Sequence, residues 1–181
     1  ERRLVFYDEF DGSILDTSKW EYQEGTGYEY GNWAWGNQEK QFYTRDNITV
    51  SGGYLNIEAK PETGRTTDAH FQYTSGKIVS YEVNNAFRNN ESGFRQAFGR
   101  FEARIKLPVG QGLWPAFWLM PAEDVYGRGW PFNGEIDIME ARGRLPREVS
   151  SALHFNDQGE DPTFAGWEKQ SHRYVSQNYT L

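Results

Sequence analysis

The sequence predicts an all-β fold, an antiparallel sandwich built as one domain over residues 1–181. Short runs of alternating apolar and polar residues recur along the chain, and 19 glycines and 7 prolines lie scattered between them. No segment keeps the 3.6-residue period of an amphipathic helix. Because aromatic residues make up 17% of the 181 residues, disordered and fibrous classes are excluded.

Three segments carry most of the strand signal. Residues 54–60 and 99–107 alternate between apolar and polar side chains, which predicts strands with one buried and one solvated face. Residues 113–120 differ, because Trp114 and Trp118 point to one side while Phe117 points to the other. Protein therefore buries both faces of this strand, or a ligand such as a sugar ring covers one of them.

The segment with most chemical content contains Glu135, Asp137 and Glu140. In a regular strand Glu135 and Asp137 share a face, whereas Glu140 has the opposite parity and would enter the core, where an unpaired carboxylate is costly. One extra residue, a β-bulge around Ile138 and Met139, would return Glu140 to the face of the other two acids. We therefore predict three carboxylates on one surface.

Carboxylates held together repel one another, so at least one of them should have a raised pKa. A retaining glycosidase needs this asymmetry, because it pairs an ionised carboxylate with a protonated carboxylic acid. Glu135 and Glu140 fit these two roles, and Asp137 lies between them. From spacing alone, an exposed acidic strand or a surface for a divalent metal remains an equal alternative.

Composition excludes several other functions. A net charge of −7 argues against a nucleic-acid partner. The chain has no cysteine, only three histidines and no HExxH motif, which argues against thiolate catalysis and a histidine-rich metal site. The sequence contains no run of about 18 apolar residues, so no membrane span is predicted. We expect no membrane partner and no catalytic cofactor.

Four stretches resemble the family 16 glycoside hydrolases, in their laminarinase-like form with a bulged E-x-D-x-x-E signature. They follow the family order and cover most of the chain: LVFYDEFDGSILDTSKW, WGNQEKQFYTRDNITVSGGYLNIEAK, FGRFEARIKLPVGQGLWPAFWLMP and GWPFNGEIDIMEARG. The resemblance implies a β-jelly-roll sandwich of two curved antiparallel sheets, of the concanavalin A type. It also implies an endo-acting retaining enzyme in which Glu135 is the nucleophile, Glu140 the general acid/base and Asp137 the assisting carboxylate.

The same resemblance assigns further residues to the substrate and to a metal. Trp118 and Trp130 would line the glycone side of the cleft with Trp114 nearby, His154 would lie near the aglycone side, and Asn37 would bind sugar hydroxyls. Glu9 resembles a position that helps to bind a structural Ca²⁺ away from the cleft. Each has a plainer interpretation: a core side chain for Trp114, a structural histidine, a turn residue for Asn37.

The substrate implied by the resemblance is a β-1,3-glucan such as laminarin, with β-1,3-1,4-glucan as a second possibility. An enzyme acting on a marine galactan, a glycan transferase and a non-catalytic glucan-binding protein remain alternatives. Polysaccharides lie outside cells, so we expect a secreted protein. The family pattern continues with further strands after HRYVSQNYTL, so we expect the sandwich to be completed by C-terminal strands of a longer protein or by a second chain.

Overall fold

The structure, a computed structural model, describes residues 3–80, 93–123, 129–155 and 173–175. Within these ranges the regular elements are eleven β-strands and three short 3-10 helices, which confirms the all-β prediction. The chain divides into two compact units, Glu1–Gln96 and Ala97–Leu181. The prediction of a single domain stays a prediction. In the part of the chain described, no helix is long and apolar enough to cross a bilayer.

In the described residues of the first unit, seven short strands form three small sheets. Strand β3 pairs with β4 in an antiparallel hairpin, β1 pairs with β7, and β2, β6 and β5 form a three-stranded sheet in which β2 and β6 are parallel. Gly52 and Gly53 close the hairpin with positive φ angles of 60° and 78°. The strands are β1 (Glu21–Tyr22), β2 (Gln41–Tyr43), β3 (Ile48–Ser51), β4 (Tyr54–Ile57), β5 (Lys60–Pro61), β6 (Tyr73–Ser75) and β7 (Ile78–Val79).

The core of the first unit is organised around one buried amide. Asn47 is only 2% exposed. Its Nδ2 donates to the carbonyl oxygen of Glu58 at 2.7 Å and to the hydroxyl of Thr74 at 3.1 Å. The amide thereby joins the start of β3 to the end of β4 and to β6. The buried apolar side chains of this unit are Leu15, Ala34, Trp35, Ile48, Val50 and Phe71.

The second unit contains one antiparallel sheet with the strand order β11-β10-β9-β8. Its strands are β8 (Ala116–Leu119), β9 (Glu135–Ala141), β10 (Val149–His154) and β11 (Arg173–Val175). Strand β9 therefore has a hydrogen-bonded neighbour on each side. This central position fixes the backbone from which the three acidic side chains project.

The predicted bulge in β9 is confirmed. Asp137 and Glu140 are three residues apart on β9, whereas their ladder partners are two residues apart on both neighbouring strands: Trp118 and Ala116 on β8, Ala152 and Ser150 on β10. The register shift lies between these pairs on each side. The extra residue reverses the alternation of side chains once. Glu140 consequently returns to the face that carries Glu135 and Asp137.

Two strand predictions differ from the structure. Residues 99–107 belong to no ladder within the described ranges, and Ile105, predicted to be buried, is 38% exposed. An extended segment becomes a strand only when a neighbour accepts its backbone hydrogen bonds, and alternation cannot identify that neighbour. Ile136, which points away from the face of Glu135 and Asp137, is 47% exposed rather than buried. Residues 54–60 do form strands, as β4 and β5 with a break between them.

Candidate active site

One face of the four-stranded sheet collects the acidic residues together with small and aromatic neighbours. Residues directly opposite each other in an antiparallel ladder share a face. Glu135 lies opposite His154, and Asp137 lies opposite Trp118 and Ala152. Glu140 lies opposite Ala116 and Ser150. The acids are therefore flanked on this face by His154, Trp118 and the small residues Ala116, Ser150 and Ala152.

Asp137 is the most buried of the three acids, with 4% of its side chain exposed. His154, 13% exposed, places Nε2 2.9 Å from Asp137 Oδ2 and can donate a hydrogen bond to it. Its other ring nitrogen, Nδ1, is buried and has no hydrogen-bond partner among the described residues. His154 therefore contacts Asp137 directly, a contact that the sequence did not indicate.

Glu135 is held from two sides. The indole Nε1 of Trp130 donates to Glu135 Oε2 at 2.6 Å, and Asp137 lies beside Glu135 on the same face of the sheet. Burial raises the pKa of Glu135, and the negative charge of Asp137 raises it further, while the Trp130 hydrogen bond and His154 act in the opposite direction. The predicted repulsion among the acids is thus present at Glu135.

Glu140 accepts a hydrogen bond from a second tryptophan. Trp114 Nε1 lies 2.8 Å from Glu140 Oε1, and Trp114 is 54% exposed. Its interpretation as a core side chain is therefore wrong. The backbone on either side of Trp114 is bonded to the end of β9 and beyond, because Gly143 N donates to the Leu113 carbonyl at 2.8 Å and Ala141 N to the Pro115 carbonyl at 3.0 Å.

One residue at the bulge was missed in the sequence. Ser151 on β10 lies opposite the bulged segment, and its hydroxyl donates to the Ile138 carbonyl oxygen at 2.9 Å. A bulge removes regular ladder hydrogen bonds, and this hydroxyl satisfies one of the freed carbonyls. The available signal was a small hydroxyl residue in the strand next to the acids, which is too common a feature to single out.

Comparison with known proteins identifies the family. The model for "Glycosyl hydrolases family 16" matches residues 32–180. The chain belongs to glycosyl hydrolase family 16. It is 44% identical over 164 residues to "Glucan endo-1,3-beta-glucosidase A1" of Niallia circulans and 44% identical over 158 residues to "Beta-glucanase" of Rhodothermus marinus. These alignments cover 86% and 83% of this chain but only 22% and 48% of the two relatives.

Solved structures agree with the family assignment. The laminarinase catalytic domain of Thermotoga maritima matches 98% of this chain with a TM-score of 0.75 and 32% identity, and 64% of that domain is covered. Laminarinases of family 16 have the jelly-roll fold, so the predicted fold class is confirmed. The family needs no cofactor for catalysis.

The remaining predicted residues of this family 16 chain lie in different places. Trp118 is partly buried and lies opposite Asp137 in the β8–β9 ladder. Asn37 is exposed in the first unit, where its Nδ2 lies 3.3 Å from Glu39 Oε1. It follows a tight turn in which Ala34 and Trp35 have left-handed backbones, with φ of 49° and 52°. Glu9 is exposed and lines a cavity of about 250 Å³ in the same unit.

Among the residues that the structure describes, one group on the acidic face could hold a metal ion. One carboxylate oxygen each of Glu135 and Asp137 and one ring nitrogen of His154 all lie within 4.8 Å of one another. Two hydrogen bonds already engage these groups, the Trp130 indole with Glu135 and His154 with Asp137.

Proposed function

We propose that this family 16 chain is an endo-acting glycoside hydrolase that cleaves internal β-1,3-glucosidic bonds of laminarin-type glucans with retention of configuration. The observation that carries the proposal is the bulge, which places Glu135, Asp137 and Glu140 on one face of the sheet. The names of the relatives in N. circulans and T. maritima support a β-1,3-glucan as substrate. Mixed β-1,3-1,4-glucan is a second candidate substrate.

The reaction proceeds in two displacements. Glu135 attacks the anomeric carbon as a carboxylate, the bond to the leaving oxygen breaks, and Glu140 gives its proton to that oxygen. Glu140, now ionised, takes a proton from water, and the resulting hydroxide displaces Glu135 from the sugar. Asp137, buried beside Glu135 and bonded to His154, holds the nucleophile in place between the two steps.

The proposed sugar contacts follow from exposure and position. Trp130 and Trp114 are 47% and 54% exposed, so their ring faces remain available for the apolar faces of glucose units. Trp118 shares the face of Asp137. We propose that these three residues and His154 contact sugars near the acids, and that Asn37 binds sugar hydroxyls through its amide.

The proposed activity is tested by release of reducing sugar from laminarin, lichenan and agarose in parallel. Glu135→Gln removes the nucleophile, and Glu102→Gln is the matched control, because Glu102 has 68% of its side chain exposed and pairs with Arg100. We expect release from laminarin by the wild type and the control but not by Glu135→Gln. Release only from agarose, or from none of the three, would contradict the proposal. Chain lengths of the products distinguish hydrolysis from glycan transfer.

We also propose a structural Ca²⁺ near Glu9. The cavity beside Glu9 is lined by the acidic residues Asp8, Asp11 and Asp16 as well, and carboxylate oxygens suit this ion. The ion would stabilise the fold and take no part in the reaction. A melting temperature that rises with Ca²⁺ in the wild type but not in Glu9→Gln is the expected result, and an equal response of both proteins would contradict it.

The location outside the cell remains a proposal that follows from the polymeric substrate. Recovery of the protein from the culture medium of its producing organism is the expected result, and retention in the cell lysate would contradict it. The completion of the sandwich by further strands or by a second chain stays a prediction.

A further inference from the structure

The two glutamates of the proposed mechanism are each bonded to a different tryptophan. Trp130 Nε1 lies 2.6 Å from Glu135 Oε2, and Trp114 Nε1 lies 2.8 Å from Glu140 Oε1. An indole can only donate, so in each pair the carboxylate oxygen must accept. This gives one neutral N–H donor to the nucleophile and another to the acid/base.

Both indoles are held by backbone that is itself fixed. The carbonyls of Leu113 and Pro115, on either side of Trp114, accept from Gly143 N at 2.8 Å and from Ala141 N at 3.0 Å. The segment around Trp130 closes on itself, because Phe132 N donates to the Gly129 carbonyl at 3.0 Å. The ring of Trp130 also lies 5.6 Å from the ring of His154. The donors are therefore in place before a substrate arrives.

Exposure separates two roles for these rings. Trp114 and Trp130 are about half exposed, at 54% and 47%, although the N–H edge of each is engaged. Stacking on a sugar requires the face of a ring, whereas the contact with a glutamate requires the nitrogen. Replacement by phenylalanine keeps an aromatic face and removes the donor, so the two roles can be measured independently.

We propose that Trp114 and Trp130 are positioning residues that orient the catalytic glutamates through their indole N–H groups, one to each carboxylate. The inference rests on the function proposed above. Each hydrogen bond holds one carboxylate oxygen and leaves the other to react. A donated hydrogen bond also favours the ionised form of a carboxylate. Trp130 thereby helps to keep the nucleophile charged, and Trp114 holds Glu140 in the orientation needed for proton transfer.

The test compares Trp114→Phe and Trp130→Phe in the full chain with a matched control, Trp33→Phe. Trp33 is 46% exposed, and its Nε1 donates at 3.1 Å to Asp68, a carboxylate outside the proposed machinery. Hydrolysis of a laminarin oligosaccharide is measured as kcat and KM over a range of pH. Melting curves show that the variants are folded.

For Trp130→Phe we expect a roughly tenfold lower kcat and an acidic limb of the pH profile displaced to higher pH. For Trp114→Phe we expect a similar loss of kcat, because Glu140 loses the indole donor that orients it. Trp33→Phe should leave both limbs in place. An increase in KM alone, with both limbs of the profile unchanged in the two variants, would show that the rings serve only as sugar platforms and would overturn the proposal.

A titration that does not depend on turnover separates this proposal from the proposed function. With ¹³C-labelled glutamate, the carboxyl signal of Glu135 is followed by NMR against pH in the wild type and in Trp130→Phe. We expect the pKa of Glu135 to be higher in Trp130→Phe than in the wild type, and unchanged from the wild type in Trp33→Phe. An unchanged pKa of Glu135 would overturn the positioning role. A wild type that releases no sugar but shows this change would instead overturn the proposed function.

Discussion

Asn47 in the first unit and Asp137 in the second are both buried polar side chains, but their burial has different consequences. Asn47 is 2% exposed and Asp137 is 4% exposed. The neutral amide of Asn47 donates to a backbone carbonyl and a hydroxyl, and nothing in its hydrogen-bonding partners changes charge in the ordinary pH range. Asp137 instead contacts a histidine and a second acid, Glu135. The first arrangement stabilises the fold, whereas the second stores unfavourable charge where a reaction needs it.

The largest effect is expected for Glu135→Gln, which should change activity and stability in opposite directions. Glu135→Gln should lower kcat on laminarin by at least about a thousandfold, because the nucleophile is lost. The same change should raise the melting temperature at neutral pH. The pKa of Glu135 is raised in the folded protein, so the folded protein loses stability when this carboxyl ionises as the pH rises through that pKa. Glutamine does not ionise, so the variant avoids this loss.

The pH dependence of this gain gives its control. Below the ordinary pKa of glutamate both folded and unfolded wild type are protonated at this site, so the melting temperatures of the two proteins should converge. A variant that is less stable than the wild type at neutral pH would contradict the inference that the charge of Glu135 destabilises the folded protein. In the wild type, the raised pKa of Glu135 should also place the acidic limb of kcat/KM above the usual range for glutamate.

The second effect tests the structural side of the comparison. Asn47→Ala should lower the free energy of unfolding by about 2 kcal/mol, since it leaves the Glu58 carbonyl and the buried Thr74 hydroxyl with one partner fewer. Chemical denaturation measures the change. Asn56→Ala, at an exposed position of β4, is the control and should change little. Equal effects of the two substitutions would show that the Asn47 hydrogen bonds do not hold the first unit together.

A close backbone contact near Trp114 gives an intermediate effect. A methyl group at Gly143 would overlap the Gly110 carbonyl oxygen and lie 2.8 Å from Leu113 Cβ. We expect Gly143→Ala to lower the free energy of unfolding by about 1–3 kcal/mol. It should also lower kcat, because the segment that must shift carries Trp114, whose indole contacts Glu140. Gly12→Ala, whose methyl group would meet its nearest atom at 3.4 Å, is the control. Wild-type kcat and stability in Gly143→Ala would contradict this view of the segment.

The smallest effect concerns an exposed ion pair in the first unit. Arg45 donates to Glu24 Oε2 through Nη2 at 2.6 Å and through Nε at 3.0 Å, but 62% of its side chain is exposed. The Arg45 hydrogen bond lowers the pKa of Glu24. Water and salt screen such a pair, so Arg45→Ala should cost less than about 1 kcal/mol and lose most of that effect in about 1 M salt. A larger cost that salt does not reduce would contradict this estimate.

The sequence predicted the positions that follow from parity and periodicity. The bulge in β9 could be deduced because Glu140 has no reason to enter the core, and the register of both neighbouring strands confirms it. Alternation also predicted the all-β class. The hydrogen-bond partners of the two glutamates could not be deduced in this way. Trp114 and Trp130 lie outside β9, the strand that carries Glu135 and Glu140.

Other features depend on contacts that a single sequence does not specify. Residues 99–107 have the alternation of a strand but belong to no ladder in the described part of the chain. Ala34 and Trp35 adopt left-handed backbones that are unusual for residues other than glycine, so their turn could not be read from residue type. Ser151 was missed because its hydroxyl matters only beside a bulge.

Covalent trapping tests the central claim most directly. The wild type is incubated with a laminaribioside that carries fluorine at C2 and a good leaving group at C1, which slows release of the glycosyl-enzyme intermediate. Peptide mass spectrometry then locates the attached sugar. We predict one disaccharide on the peptide that contains Glu135, bonded to that side chain and absent from Glu135→Gln. Attachment to Glu140, or turnover with inversion and no trapped sugar, would contradict it.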